Sequence, residues 1–387
     1  MTARPPKDPV VQTLVAAVGL HDLAAGAAPL LDAAVRSLPA EEVLEVVDAH
    51  RLAPAVARYL GALEEPPREL AAALGAQRTE QMVRHLATLA ELGPLAAALD
   101  RAGVAWAVVK GPVVAADLWP SPDMRGYLDL DLLVDPHRLA DVIDLLHGLG
   151  AEQIDLNWDL INRQERAELT FFLPRGTVLD LHWHLVNDAT LRRRLRWSTH
   201  EVLARRRPVR VGSVTVPTLD RVDTLLHLAY HATHSGAYRL LWLKDVECAW
   251  AAVEDVEEVV RRAEAARVDM LVRVALDRAS LVLGSDRCPA LPWRSRRGAL
   301  WRAALRLLDR WGSVPPRGVD GRTGRTRFTS VRTGTASSAW ALIVEAAGHL
   351  RERRDTRRPE DDLPNPLHEA DGDLRARRAY LEAVARQ

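Results

Sequence analysis

Two aspartates, Asp129 and Asp131, stand one residue apart inside the apolar run 128–134. Side chains alternate between the two faces of a β-strand, so both carboxylates are expected on one face, ~6.6 Å apart along the strand. Like charges on a largely buried strand repel each other and lose hydration, which is costly unless a cation or a hydrogen-bond network compensates. The run therefore predicts a strand that carries a divalent-metal site.

A second apolar run, 178–185, carries a third carboxylate, Asp180, two residues before His182. If the two strands are neighbours, Asp180 completes a three-carboxylate cluster that can hold one or two metal ions. Such an oxygen-only set suits Mg²⁺ or Mn²⁺, which take their remaining ligands from water and substrate phosphates. An isolated Asp-x-Asp more often marks a turn or a salt bridge, but three acidic residues on two apolar strands favour a metal site and indicate phosphoryl or nucleotidyl transfer.

The spacing of apolar residues predicts an α+β fold, with a small mixed β-sheet flanked by helices. The expected divisions are an N-terminal helical region over 1–99, the α/β core over 100–217, a C-terminal helical domain over 218–350 and a charged tail over 351–387. The predicted elements are strands at 104–109, 128–134, 169–173 and 178–185, a small hairpin at 208–217, helices at 20–38, 40–63, 67–99, 113–118, 137–149, 300–311 and 338–350 and within 219–283, and a mobile loop at 312–337.

Composition excludes several classes of protein. Lysine plus arginine equals aspartate plus glutamate at 52 each, which argues against bulk nucleic acid or an anionic membrane as the partner. Only Cys248 and Cys288 are present, so neither a disulfide framework nor a four-cysteine metal site can form. The first ten residues lack the apolar core of a secretory signal, and no window reaches ~18 uninterrupted apolar residues. A cytoplasmic protein without a membrane partner is therefore expected.

Other catalytic motifs lack their main signal. The sequence has no GxxxxGK[ST] or GxGxxG phosphate loop and no GxSxG nucleophile elbow. His227 and His231 are four residues apart on a predicted helix, which is a metal-ligand spacing. The zinc-protease pattern requires Glu after the first histidine, where Leu228 stands, so structural packing or polar contact with the strand domain is favoured over a second metal site.

The acidic strands and the turn before them resemble the polymerase-beta-type nucleotidyltransferase superfamily, and more narrowly a family of uncharacterised bacterial nucleotidyltransferases. The resemblance covers roughly residues 80–260, and its motifs are specific as a set rather than singly. The segments that carry it are Val109-Lys110-Gly111, Arg125, the run 128–134 and Leu179-Asp180-Leu181-His182-Trp183.

The resemblance implies transfer of a nucleoside monophosphate from an NTP, with Mg²⁺ or Mn²⁺ as cofactor. Asp129 and Asp131 would hold the catalytic metals, and Asp180 would be the third ligand or the base for an attacking hydroxyl. Gly111 would contact the triphosphate. The superfamily usually has Gly-Ser or Gly-Gly at this turn, whereas Pro112 follows Gly111 here and removes a backbone donor and a hydroxyl.

Four further residues are candidates for binding the nucleotide. Lys110 and Arg125 are phosphate-binding candidates that would replace the positive charge lost at the turn. His182 would orient Asp180 or contact the nucleotide, and Lys244 would close over the site from the C-terminal helical domain. The structural alternatives are that Arg125 supports Asp123 or Asp129, and that Lys244 forms an exposed ion pair with its neighbour Asp245.

Sequence leaves the acceptor open. It would be a hydroxyl- or phosphate-bearing small molecule, peptide, protein or RNA end, although the balanced net charge disfavours RNA. The alternative from another class is a catalytically inactive module of the same fold, which binds a nucleotide or a partner protein and regulates it. The turn Gly111-Pro112 favours this alternative, whereas the retention of all three aspartates opposes it.

Overall fold

The computed structural model describes residues 39–61, 65–283, 365–370 and 372–387, together with positions 14 and 36. The helices predicted at 300–311 and 338–350 and the loop predicted at 312–337 lie outside the described residues. The helix predicted at 20–38 does so too, apart from position 36. No helix in the part of the chain just defined is both long and apolar enough to span a membrane.

The described residues form a seven-stranded mixed sheet together with helices, and the predicted α+β class is confirmed. Its strand order is β3-β4-β5-β2-β1-β7-β6. Strand β2 runs parallel to β5 and antiparallel to β1, and β7 runs parallel to β1. The strands are β1 (Trp106–Val108), β2 (Asp129–Val134), β3 (Glu152–Gln153), β4 (Glu168–Phe172), β5 (Val178–His182), β6 (Arg207–Val211) and β7 (Val214–Thr218).

Thirteen helices are found among the described residues. They are α1 (Ala40–His50), α2 (Ala53–Leu60), α3 (Arg68–Arg101), α4 (Pro112–Asp117), α5 (Leu139–Gly148), α6 (Trp158–Gln164), α7 (Ala189–Arg192), α8 (Thr199–Ala204), α9 (Arg221–His234), α10 (Leu240–Ala251), α11 (Val256–Ala265), α12 (Asp269–Leu283) and α13 (Leu374–Val384). Short 3₁₀ turns lie at Pro122–Met124, Pro136–Arg138 and Pro366–His368.

One predicted helix is interrupted. The periodicity over 40–63 predicts a single helix, but the structure has α1 and α2, because Arg51 adopts a left-handed conformation with φ of 54°. Its backbone N–H bonds back to the carbonyls of Asp48 and Val47, which ends α1. Pro54 lies in the first turn of α2, where proline is tolerated because its missing N–H has no helical partner to lose.

The chain divides into two compact units. One unit comprises Met1–Gln81, Leu118–Gly126 and Thr224–Arg357, and the other comprises Met82–Asp117, Tyr127–Asp223 and Arg358–Gln387. The second unit contains the whole sheet and is called the sheet unit below; the first is called the helical unit. Helices α3 and α9 pass from one unit to the other.

The sheet unit has one apolar and one polar sheet face at its centre. Leu130 and Leu132 of β2 and Leu179 and Leu181 of β5 are fully buried on one face. The residues between them alternate to the opposite face, as the pleat of a strand requires. Burial of the leucine face sets the register of these strands, since a slip by one residue would turn every leucine to the polar side.

The segment predicted as a charged tail contains helix α13, which packs within the sheet unit. Tyr380 of α13 is 2% exposed, and its hydroxyl donates to the carbonyl of Arg166 at 2.8 Å. The same hydroxyl accepts from Nε1 of Trp183 at 3.0 Å. This helix therefore fixes the chain just after the end of β5.

Candidate active site

The register of β2 and β5 brings the predicted carboxylates together. Asp131 pairs with Asp180 across the two parallel strands, and Asp129 pairs with Val178. Paired residues of neighbouring strands point to the same side, and residues two apart on one strand do so as well. Asp129, Asp131 and Asp180 therefore share the polar face of the sheet.

Asp131 lies at the centre of this group and is 2% exposed. Its Oδ1 lies 2.7 Å from Nζ of Lys110 and 3.2 Å from Nε2 of His182. Its Oδ2 is buried and has no hydrogen-bond partner among the described residues. Burial alone would raise the pKa of Asp131, but Lys110 and His182 outweigh it and hold that pKa well below its ordinary value. The carboxylate is therefore ionised.

The pKa values of Lys110 and His182, the two cationic partners of Asp131, are raised. Burial acts to lower the pKa of Lys110, yet the charges of Asp131 and Asp129 raise it above its usual value. Burial likewise acts to lower the pKa of His182, and the hydrogen bond to Asp131 and the charge of Glu168 raise it overall. The raised pKa values favour the positively charged forms of Lys110 and His182 beside Asp131.

Asp180 has a different environment from Asp131. Oγ1 of Thr170, which faces it from β4, donates to its Oδ1 at 3.0 Å. Burial and then the charge of Glu168 raise the pKa of Asp180 to about 7. An acidic group that is this hard to ionise at neutral pH indicates a site short of positive charge, which is the condition that a bound cation relieves.

Glu168 is a fourth carboxylate of this face that the sequence prediction missed. It pairs with His182 across β4 and β5, and its Oε2 lies 3.6 Å from Nδ1 of His182. Nδ2 of Asn187 donates to the same oxygen at 3.3 Å. The sequence did contain the pattern that predicts Glu168. The hairpin turns at Arg175-Gly176, and every second residue of β4 lies on the polar face. Extending the strand predicted at 169–173 by one residue would have added Glu168 to that face.

Gly111 connects β1 to α4 beside the acidic strand. Its φ is +57°, a left-handed conformation that favours glycine, and a Cβ there would lie 2.9 Å from the carbonyl oxygen of Asp129. Pro112 is the first residue of α4. Proline suits that position because the first N–H groups of a helix have no intrahelical acceptor. The Gly111-Pro112 turn is therefore compatible with the strand, turn and helix that the sequence predicts.

Two of the predicted nucleotide-binding residues lie in the helical unit. Arg125 makes a bidentate pair with Asp245, with both N···O distances at 2.8 Å, and Nε1 of Trp119 donates to the same carboxylate at 2.7 Å. Asp123, one of the partners that the sequence suggested for Arg125, is held instead by Arg58 at 3.0 Å. The role of Arg125 toward a phosphate stays a prediction.

Lys244 is buried rather than exposed. Its Nζ lies 2.5 Å from Oε2 of Glu247, and the two side chains are 2% and 1% exposed. The interpretation of Lys244 and Asp245 as an exposed ion pair is therefore wrong, because both are buried on α10 and pair with different residues. A role of Lys244 in closing over the nucleotide stays a prediction.

The histidines of α9 make ring contacts. His231 meets Trp242 edge to face at 5.4 Å between centroids, and Tyr230 stacks on His234 at 5.5 Å. These contacts agree with the structural packing that the sequence favours for His227 and His231.

The donor set of the polar face fits Mg²⁺ or Mn²⁺, although the carboxylates are not yet gathered around one point. In the ranges that the structure covers, no group of three or more His, Cys, Asp or Glu side chains is arranged to hold an ion. The buried Oδ2 of Asp131 has no hydrogen-bond partner among the described residues, and a cation is a suitable one for a carboxylate oxygen. Like charges on these carboxylates would oppose closer approach in the absence of a cation.

A strand, a glycine turn and a helix lie beside two parallel acidic strands, which is the arrangement that the sequence predicts. The family model described as "Uncharacterised nucleotidyltransferase" matches residues 37–284, and the chain belongs to this family. A search of curated proteins found no match to the chain. Family membership supports nucleotidyl transfer as the general function and an NTP as substrate.

Proposed function

We propose that this protein is a metal-dependent nucleotidyltransferase that moves a nucleoside monophosphate from an NTP to an acceptor bearing a hydroxyl or a phosphate. The observation that carries the proposal is the pairing of Asp131 with Asp180 on neighbouring parallel strands, with one buried oxygen of Asp131 left without a partner among the described residues. Family membership supports the reaction class, and the carboxylate chemistry of this face supports the cation.

Asp129, Asp131 and Asp180 would hold Mg²⁺ or Mn²⁺. The bound metal would neutralise charge on the phosphates and lower the pKa of the attacking oxygen. Asp131 is suited to this role because Lys110 and His182 hold one of its oxygens in place and keep the carboxylate ionised. Its geometry is thus fixed before the substrate arrives, which is how positioned charge contributes to catalysis.

Lys110 and Gly111 would receive the triphosphate. An ammonium group has three donors, so Lys110 can keep its contact with Asp131 and still donate to phosphate oxygens. Gly111 has no side chain, which lets a phosphate approach the backbone beside Asp129. These residues act by position and charge, because a phosphorus centre needs little covalent help from the protein.

Asp180 would be either the third ligand of the cation or the base for an attacking hydroxyl. In the second role, with the cation held by Asp129 and Asp131, its pKa of about 7 suits a group that takes the proton from the hydroxyl at neutral pH. The acceptor oxygen then bonds to the α-phosphorus while the bond from that phosphorus to the pyrophosphate oxygen breaks. Glu168 and Thr170 keep Asp180 in a polar, hydrogen-bonded setting during the transfer.

The test is transfer of label from each NTP, with Mg²⁺ or Mn²⁺ and cell extract as the source of acceptor. Label on the α-phosphorus should move to an acceptor and label on the γ-phosphorus should not. Nucleotidyl transfer joins the α-phosphorus to the acceptor, and the γ-phosphorus leaves in pyrophosphate. Asp129→Asn and Asp131→Asn should abolish transfer. Asp141→Asn, whose side chain is 60% exposed on α5, is the matched control and should leave it unchanged. Transfer that persists in both active-site variants would exclude the proposed roles.

A second candidate is an inactive nucleotide-binding module. The contact that favours it is the 2.7 Å pair of Lys110 with Asp131, since the ammonium group already offers positive charge to the carboxylate. This candidate predicts that the protein binds an NTP without Mg²⁺ or Mn²⁺ and that no label is transferred under any condition. Calorimetric titration with and without EDTA separates the two candidates.

A further inference from the structure

The two inner carboxylates of the polar face are held in the same way. At Asp131, both Lys110 and His182 contact a single oxygen, and the other oxygen is buried without a hydrogen-bond partner among the described residues. At Asp180, the hydroxyl of Thr170 also contacts a single oxygen. In each case the described part of the chain makes its hydrogen bonds to one oxygen of the carboxylate and none to the other.

Thr170 is itself fixed in place by its neighbours. It stands directly opposite Asp180 in the antiparallel ladder of β4 and β5. Its N–H donates to Oδ2 of Asp155 at 3.0 Å, and its carbonyl accepts from the N–H of Ile154 at 2.9 Å. The backbone N–H and carbonyl of Thr170 are therefore both bonded on the side away from Asp180, and its hydroxyl is the group that bonds toward Asp180.

The bond from Thr170 fixes one oxygen of Asp180. A hydroxyl that donates to a carboxylate makes a charge-assisted hydrogen bond, which is directional and stronger than a bond between neutral groups. Asp180 also lies next to Asp131 in the register of β5 and β2. Holding one oxygen of Asp180 therefore sets how its carboxylate is oriented on the face that it shares with Asp131.

We propose that Thr170 is a positioning residue of the nucleotidyl-transfer site, which holds one oxygen of Asp180 so that the other is presented to the divalent cation. This inference rests on the proposed function and adds a residue that the sequence prediction did not include. Thr170 does not touch the cation or the substrate; it acts through Asp180. Residues that orient a metal ligand in this way typically change metal affinity by roughly 10–100-fold when replaced.

The experiment compares Thr170→Val with Thr170→Ser in the full-length chain. Valine keeps the shape of threonine without the hydroxyl, and serine keeps the hydroxyl without the methyl group. Binding of Mn²⁺ alone is measured by electron paramagnetic resonance. We expect Thr170→Val to bind Mn²⁺ about 10-fold more weakly and Thr170→Ser to bind it like the wild type. Thr215→Val, at an exposed threonine of β7, is the matched control and should bind it normally.

Melting temperatures with and without Mn²⁺ separate positioning from packing. Positioning predicts that Thr170→Val loses much of the rise in melting temperature that Mn²⁺ gives, while Thr170→Ser keeps it. Equal Mn²⁺ affinity in Thr170→Val and wild type would overturn the inference, and so would equal weakening by valine and serine. If Thr170→Val does not fold, wild-type affinity in Thr170→Ser remains the required result. Absence of Mn²⁺ binding to the wild type would overturn the inference and the proposed function together.

Discussion

The raised pKa of Asp180 predicts that its replacement by asparagine stabilises the metal-free protein. In the folded chain this pKa is about 7, whereas its ordinary value is 3.8. Between these two pH values the unfolded chain has lost the proton and the folded chain still holds it. Stability therefore falls as pH rises from about 4 to about 7 and stays low above that.

The size of the effect follows from the same pKa. At ~1.4 kcal/mol per pKa unit, the difference between 3.8 and about 7 corresponds to at most about 4 kcal/mol of unfolding free energy. An asparagine side chain at this position does not ionise, and its oxygen can still accept from Thr170. Asp180→Asn should thus match the wild type near pH 4 and exceed it in stability by up to about 4 kcal/mol at pH 8.

Urea unfolding in EDTA at several pH values, followed by tryptophan fluorescence and circular dichroism, measures this difference. Asp141→Asn, an exposed control on the same unit, should show no such pH-dependent gain. Addition of Mg²⁺ should narrow the difference, because the wild type gains stability from the cation and the variant loses a ligand. A variant that is no more stable than the wild type at pH 8 without metal would refute the electrostatic reasoning.

Three further substitutions test separate parts of the site. Gly111→Ala should destabilise the chain by about 1–3 kcal/mol and abolish transfer, because it forces a left-handed alanine with its Cβ 2.9 Å from a β2 carbonyl; urea unfolding and label transfer measure it. Lys110→Met should destabilise the metal-free protein by about 3 kcal/mol, since it leaves the buried Asp131 with one cationic partner fewer; unchanged unfolding would contradict this. Glu168→Gln should lower the pKa of Asp180, because it removes the carboxylate that contributes most to the raised value after burial; carboxyl NMR titration in EDTA reports it.

Local patterns were enough to predict the acidic strands. Alternation along 128–134 places Asp129 and Asp131 on one face, and the structure has β2 at Asp129–Val134. The turn at Gly111 was also predictable, because glycine followed by proline marks the change from strand to helix. The hairpin at 208–217 was predicted from its glycine and appears as β6 and β7.

Contacts between distant parts of the chain could not be predicted in this way. The sequence did not indicate that β7 pairs with β1, which joins Val108 to Thr218. It also did not indicate that Arg125 pairs with Asp245, 120 residues further along. Such partners depend on how helices and strands pack, and a local pattern carries no information about packing. Glu168 differs from these cases, because the alternation of side chains along its hairpin could have predicted that it lies on the polar face.

A crystal structure with Mn²⁺ and a non-hydrolysable NTP analogue tests the central claim most directly. The anomalous signal of Mn²⁺ should lie within coordination distance of Oδ2 of Asp131 and of the carboxylates of Asp129 and Asp180, with the triphosphate beside Lys110 and Gly111. This expected result does not depend on whether Lys110 keeps its contact with Asp131. An analogue bound elsewhere, or no Mn²⁺ signal at these carboxylates, would contradict the account.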